Sequence, residues 1–248
     1  MAADPETSPA TAGALAAGAE TALAASPARV QSFMHGGRRY WVKREERLGL
    51  RLRLQKGDPR RAFAAERRAL RHLAALGAPV PPIVAEGADY FVTPDSGPTL
   101  HNLMRDAGFD PVERIDAFAA AGQALAAFHA LGVSHGRPSI RDICWDGAAA
   151  RFLDVERYAG KRNTPAGHAQ DLVMLVFTAF AEARGPAPEI AALTAAYRGA
   201  DPADIWAGAR RLCRRIGWLG PLTWPVRRLR DSREFHAIPL TLAAFREG

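Results

Sequence analysis

After residue 28 the first third of the chain is built from short β-prone runs. Val30–Met34 and Arg39–Lys43 are separated by His35-Gly36-Gly37, a composition that favours a tight hairpin turn. Leu50-Arg51-Leu52-Arg53-Leu54 alternates strictly, as a half-buried strand does; a helix start is the other reading. Asp58-Pro59 supplies an N-cap with proline at the first helical position, and Gly77 closes the helix that follows. Pro81–Ala85 and Asp89–Thr93 predict two more strands around Glu86-Gly87.

Beyond Gly97-Pro98 the period becomes helical. Asp110-Pro111-Val112-Glu113 is a cap with an acidic third position, and Gly132 ends the long helix after it. Ile115, Phe118, Leu125 and Phe128 share one face of that helix. A proline-containing loop, His135–Asp142, then leads to a hairpin of Ile143–Trp145 and Arg151–Leu153 around Asp146-Gly147. From about Ala169 onward the pattern is helical. Residues 1–28 are mostly Ala, Gly, Thr, Ser and Pro with no aromatic, which predicts a disordered tail with a transient helix near Ala14–Ala25. The expected organisation is a tail (1–28), a β-rich lobe with one helix (29–97) and a helical lobe containing the second hairpin (98–248). The fold class is α+β.

Composition narrows the partners. The 33 Lys+Arg against 26 Asp+Glu give a net charge of +7, and the first 28 residues carry none of those cations. A basic body favours an anionic partner: nucleic acid, a phosphorylated ligand or an acidic membrane surface. The arginines are scattered, do not interleave with aromatics and form no recognised nucleic-acid motif, so nucleic acid is not expected. The best apolar run, Leu172–Phe177, is far shorter than a bilayer span. Two cysteines, Cys144 and Cys213, make no disulfide framework, and the first basic residue is Arg29, which predicts a cytoplasmic protein. No feature sets an oligomeric state.

Four features can carry chemistry. Lys43 shares a strand face with Trp41, opposite Tyr40 and Val42; it is either a solvated strand-end lysine or an inward one with a partner. Glu66 lies on the apolar stripe Phe63, Leu70, Leu73, Leu76, where a carboxylate is costly unless paired; Lys43 is the natural partner, and water beyond Arg67 or Arg61 is the alternative. Asp142 and Asp154 flank the open end of the second hairpin. Two adjacent carboxylates either hold a cation such as Mg²⁺ or Mn²⁺ or cap strand ends in solvent. Asp171 opens an apolar helix, where it is favoured by the helix dipole or holds a neighbouring loop through backbone N–H groups.

This order of strand lysine, helix glutamate, long helix, His-containing loop, hairpin ending in Asp and helix-start Asp resembles a protein-kinase-like phosphotransferase. Over residues 30–180 it resembles the Kdo/WaaP-type lipopolysaccharide kinases. The resemblance implies a small β-rich lobe and a helical lobe, and ATP with Mg²⁺ or Mn²⁺. Lys43 in Tyr40-Trp41-Val42-Lys43 would contact the nucleotide phosphates and pair with Glu66. Phe152-Leu153-Asp154-Val155-Glu156-Arg157 is similar to the metal-binding Asp motif, with Glu-Arg in place of Gly. Ala169-Gln170-Asp171-Leu172 is similar to the segment whose Asp braces the catalytic loop.

The catalytic loop departs from the pattern His-x-Asp-x-x-x-x-Asn. His135 fits, but Arg137 stands at the catalytic-base position and Asp142 at the metal-binding Asn position. An arginine cannot accept a hydroxyl proton. No Gly-rich loop precedes Lys43 at the usual distance, and Trp41 occupies a place where kinases keep a small residue. Two readings follow. One is an active kinase, with Asp142 orienting the hydroxyl, Arg137 stabilising transferring charge and an anionic sugar-lipid acceptor at the inner membrane surface, where Arg51, Arg53, Arg60 and Arg61 could dock. The other is a pseudokinase that keeps the fold without turnover. The helical segment after Phe180, with a cap at Asp201-Pro202, the basic run Arg210–Arg215 and a patch of Arg227, Arg228 and Arg230 with Trp218 and Trp224, carries no motif.

Overall fold

The computed structural model describes residues 9–46, 58–218, 220 and 232–246. They form two compact units, Met1–Ser96 and Gly97–Gly248. The strand expected at Leu50–Leu54, with Arg51 and Arg53, lies outside the described residues, as do Arg227, Arg228, Arg230 and Trp224.

The first unit contains α1 (Pro9–Ala25), β1 (Val30–His35), β2 (Arg38–Arg44), α2 (Pro59–Ala75), β3 (Ala85–Glu86) and β4 (Tyr90–Pro94). The strands make one antiparallel sheet in the order β1-β2-β4-β3. Gly36 and Gly37 turn the first hairpin at φ 55° and 76°, the left-handed values that a two-residue turn of this hand needs. In the resulting register Val30 opposes Lys43, and Lys43 in turn opposes Phe91. Asp58 caps α2, its side chain accepting the Arg60 N–H, and Pro59 opens the helix. β3 is only two residues long, because Pro81 and Pro82 bring no N–H to a ladder.

Within the stretch expected as a disordered tail with a transient helix, residues 9–25 are helical and packed. Residues 9–25 form α1, and Leu15 and Ala19 are fully buried against Tyr40, Val42, Ala85, Tyr90 and Val92. The reason lies in the sheet: Tyr40 and Val42 on one face of β2 need an apolar cover. Small side chains let a helix sit close. Phe33 lies against Gly18, where an added Cβ would come within 2.7 Å of its ring. The opposite sheet face receives α2 through Phe63, which stacks on Phe91 at 5.4 Å.

The second unit contains α3 (Leu100–Arg105), α4 (Pro111–Ala130), the hairpin β5 (Ile143–Trp145) and β6 (Ala150–Phe152), α5 (Pro165–Ala183), α6 (Pro188–Gly199), α7 (Ile205–Arg215) and α8 (Arg233–Ala244). The α+β architecture, with a small antiparallel sheet followed by a helical remainder, is that of a kinase-like fold. Asp110 caps α4 through the Val112 N–H at 2.6 Å. Gly122 allows α4 and α6 to touch, since a Cβ there would meet the Leu193 carbonyl at 2.2 Å. Gly97, at φ 83°, lies against the Trp145 carbonyl, and the Trp145 N–H donates to Pro98, so the segment 97–99 docks on β5. Asp201 accepts the N–H groups of Ile205 and Trp206 and so caps α7 from a distance.

Glu182, near the end of α5, has a side chain only 6% exposed and ties four segments together. It bonds Arg105 of α3, Arg141 of the loop before β5 and Arg233 of α8, with His101 at 3.1 Å. Burial works to raise its pKa, but Arg105, His101, Arg233 and Arg141 outweigh it and hold the carboxyl below its ordinary value. Among the described residues, no helix is long and apolar enough to cross a membrane.

Candidate functional site

The candidate residues fall into two constellations, one in each unit. In the first, Lys43 on β2 donates from Nζ to Oε1 of Glu66 on α2. Glu66 is 1% exposed, where a carboxylate charge is costly unless cations face it, as Lys43 does. The inward, partnered reading of Lys43 is the one the structure adopts. A second cation was missed by sequence reasoning: Arg29 Nη2 lies 3.9 Å from Glu66 Oε2. The signal was present in the hairpin register, since Arg29 precedes Val30, the residue opposite Lys43. Trp41 lies on the same strand face, 37% exposed, and its indole N–H donates to Asp95 at 2.8 Å.

The second constellation is organised by Asp171, which lies in the second turn of α5 rather than at its start, because Thr164 and Pro165 cap and open the helix earlier than expected. Its carboxylate accepts the His135 N–H at 2.5 Å and the Gly136 N–H at 3.0 and 3.2 Å. Two adjacent backbone donors on one buried carboxylate fix the conformation of the loop that follows them. Gly136 sits at φ 100°, where a Cβ would also meet the Arg157 carbonyl at 2.4 Å. From the other side the loop is held by Ser134, whose hydroxyl donates to the Arg162 carbonyl and whose N–H donates to Asn163 Oδ1. Arg162 Nη1 donates in turn to the Gly136 carbonyl at 2.8 Å. Loop residues 134–136 are therefore fixed at both ends.

His135 itself is buried. Its ring lies 5.0 Å from that of Phe152 and 5.9 Å from that of Phe128. Neither ring nitrogen has a hydrogen-bond partner among the described residues. Burial pushes its pKa down to about 4, against the opposing charges of Asp171 and Asp154. It stays neutral at physiological pH and packs between aromatic rings. Arg137, which the kinase resemblance would set at the catalytic-base position, is exposed.

Asp142 and Asp154 flank the hairpin end. The Leu153 N–H donates to the Asp142 carbonyl at 2.8 Å, so the ladder runs one residue past β5 and β6 and sets Asp142 opposite the neighbour of Asp154. The Asp154 Oδ1 atom accepts the Glu156 N–H at 3.1 Å. Both aspartates are half-buried. Carboxylate oxygens are the donors a hard divalent cation takes, and Mg²⁺ commonly binds through one or two carboxylates together with phosphates and water. The donor set fits such an ion. Among the described residues no group of three or more His, Cys, Asp and Glu forms an all-protein metal site.

A further cluster lies behind Asp171. His129 stacks on His168 at 4.4 Å and its Nδ1 lies 2.6 Å from the Tyr197 hydroxyl, while its Nε2 is 3.8 Å from Asp171. Burial and the neighbouring His129 lower the His168 pKa to about 4. These histidines were not singled out in the sequence, because each sits singly on an apolar helix face.

The model of the phosphotransferase enzyme family (APH) matches residues 34–173, more than half of the chain and the stretch that holds both constellations. The chain belongs to the phosphotransferase enzyme family. A protein of Haemophilus influenzae (strain Rd), described as uncharacterized, is 34% identical over 135 residues. That match covers 54% of this chain and 56% of the relative, so the chain spans little more than half the length of the protein it matches. The family match supports a kinase-like phosphotransferase in general; the lipopolysaccharide-kinase likeness is a finer question.

Proposed function

We propose that the protein is a nucleotide-dependent phosphotransferase that uses a divalent cation and transfers phosphate to a hydroxyl of an anionic sugar-lipid. The observation that carries the reading is the Lys43–Glu66 ion pair, a buried carboxylate kept charged by a strand lysine. Folding gains little from such a pair over an apolar one. A lysine held at fixed position is what binding of nucleotide phosphates requires. In this reading Lys43 contacts the phosphates and Glu66, with Arg29 near it, orients Lys43.

Asp142 and Asp154 would hold the cation. The ion, when bound, supplies charge neutralisation on the phosphate oxygens. Asp171 holds the loop so that residues 137–142 keep one path from the braced glycine to the hairpin. Because phosphoryl transfer depends mainly on positioning and electrostatics, Asp142 can also orient the acceptor hydroxyl, and Arg137 can stabilise charge on the transferred group.

One observation favours a second reading. In the kinase-like reading of the loop the base position would fall on Arg137, an exposed residue that cannot accept a proton. A pseudokinase would bind nucleotide without turnover. Release of labelled phosphate from ATP, or its transfer to a lipid-A-core acceptor, with Mg²⁺ or Mn²⁺ separates the two. Turnover in the wild type that Asp154→Ala abolishes supports the enzyme. Nucleotide binding without turnover supports the pseudokinase.

A further inference from the structure

Helices α5, α7 and α8 each present an apolar i, i+4 pair to a common space: Val173 and Phe177, Leu212 and Ile216, Ile238 and Leu242. The space is a cavity of about 360 Å³. Five of these six side chains are only half-buried, and Met174 beside them is 37% exposed. The volume falls in the range of small-molecule sites, which combine apolar walls with a few polar groups.

Besides Gln170 and Thr241, the polar lining comes from the braced loop and its partners. Gly136, Arg162 and Asp171 line the cavity where it meets the braced loop. The Asp171 carboxylate is buried and its oxygens are taken by the N–H groups of His135 and Gly136, so it presents no free acceptor to a ligand, while the Arg162 side chain lines the same cavity. A second cavity adjoins the first across the shared residues Gln170 and Leu212. Arg211, Arg214 and Arg215 of α7 line it, with Asp204 as the acidic side chain among its walls. An apolar hollow beside a rim of three arginines, with a fourth at the loop, selects an amphipathic molecule whose charge is negative.

We propose that this cleft is a binding site for an anionic amphiphile: an alkyl or acyl chain between α5, α7 and α8, with its acidic group on the arginine rim. Placing this ligand as the phosphate acceptor rests on the phosphotransferase reading, because Gly136 at the end of the cleft immediately precedes Arg137. The binding itself does not. Arginine suits such a group because its planar fork bonds phosphate or carboxylate in two places. Polycationic acceptors are disfavoured by the same rim.

Titration calorimetry with the full chain tests this, using dodecyl phosphate below its micelle threshold and dodecyltrimethylammonium as the cationic counterpart. The expected result is saturable binding of the phosphate and none of the ammonium. Met174→Glu puts a charge on the apolar wall and should weaken binding by about tenfold or more. The double substitution Arg214→Glu with Arg215→Glu, on an exposed helix face, should weaken it independently, which guards against misfolding of the first variant. Equal binding of the cation, absence of saturable binding, or full affinity in both folded variants overturns the proposal. Stabilisation by Mg²⁺-ATP, read in the same preparations, reports separately on the phosphotransferase reading. Its loss with amphiphile binding intact would overturn that reading and leave the cleft assignment standing.

Discussion

The Asp171 carboxylate accepts the Gly136 N–H with both of its oxygens, at 3.0 and 3.2 Å, while one of them also takes the His135 N–H. Removing the acceptor leaves two donors without a partner, one of them on a buried residue. An unmade buried hydrogen bond costs about 1–3 kcal/mol, so Asp171→Ala should destabilise the fold by roughly 2–5 kcal/mol in urea unfolding. Asp171→Asn keeps one acceptor oxygen and should lose less. Equal losses in the two variants would remove the bracing role.

Gly136 has a second constraint in its φ of 100°. Gly136→Ala must adopt a strained backbone and push against the Arg157 carbonyl. A loss of about 1–3 kcal/mol is expected. An alanine variant as stable as the wild type would show that the loop can take another path.

Lys43 and Glu66 form a coupled pair. Lys43→Ala should cost roughly 3–5 kcal/mol by leaving the carboxylate buried, softened by Arg29 at 3.9 Å. The double variant Lys43→Met with Glu66→Leu should recover most of that loss. A double-mutant cycle with additive effects would contradict the pairing.

Acid should weaken the protein before its carboxylates titrate. The folded state holds His168 near 4 by burial and by the neighbouring His129, against an ordinary value of 6.5. Between those values the unfolded chain takes up a proton that the folded one refuses. Stability is therefore full above about pH 6.5 and falls toward pH 4, by at most about 1.4 kcal/mol per pH unit for each such histidine. His135 adds to the same window. Unfolding midpoints at pH 7.5 and 5 check the sign, and His168→Gln should flatten the dependence.

Much of the fold was legible because its punctuation is local. Gly36-Gly37, Asp58-Pro59 and Asp110-Pro111 each fix a turn or a helix start through their own backbone limits, and the observed elements begin or turn there. The Glu66 stripe, and its partner across the sheet, followed from the cost of burying a charge. A helix near Ala14–Ala25 was legible, but the extent and burial of α1 were not, since an alanine-rich helix is nearly uniform around its axis and its burial depends on a sheet face assembled from distant strands. Glu182 and its arginines were missed for a similar reason: Arg105, Arg141 and Arg233 lie far apart in the chain, and only the packing of α3, α5 and α8 brings them to one carboxylate. His135 matched a motif position, but motif position does not report exposure.

The most direct test of the central claim is the thermal unfolding midpoint of the full chain with ATP and Mg²⁺ or Mn²⁺, in the wild type, Asp154→Asn and Arg137→Ala. A ligand that binds only the folded state raises the midpoint by mass action. The account predicts a cation-dependent rise with ATP that Asp154→Asn removes and Arg137→Ala retains. A wild-type midpoint that no nucleotide moves with either cation, or a rise that Asp154→Asn leaves unchanged, would contradict it.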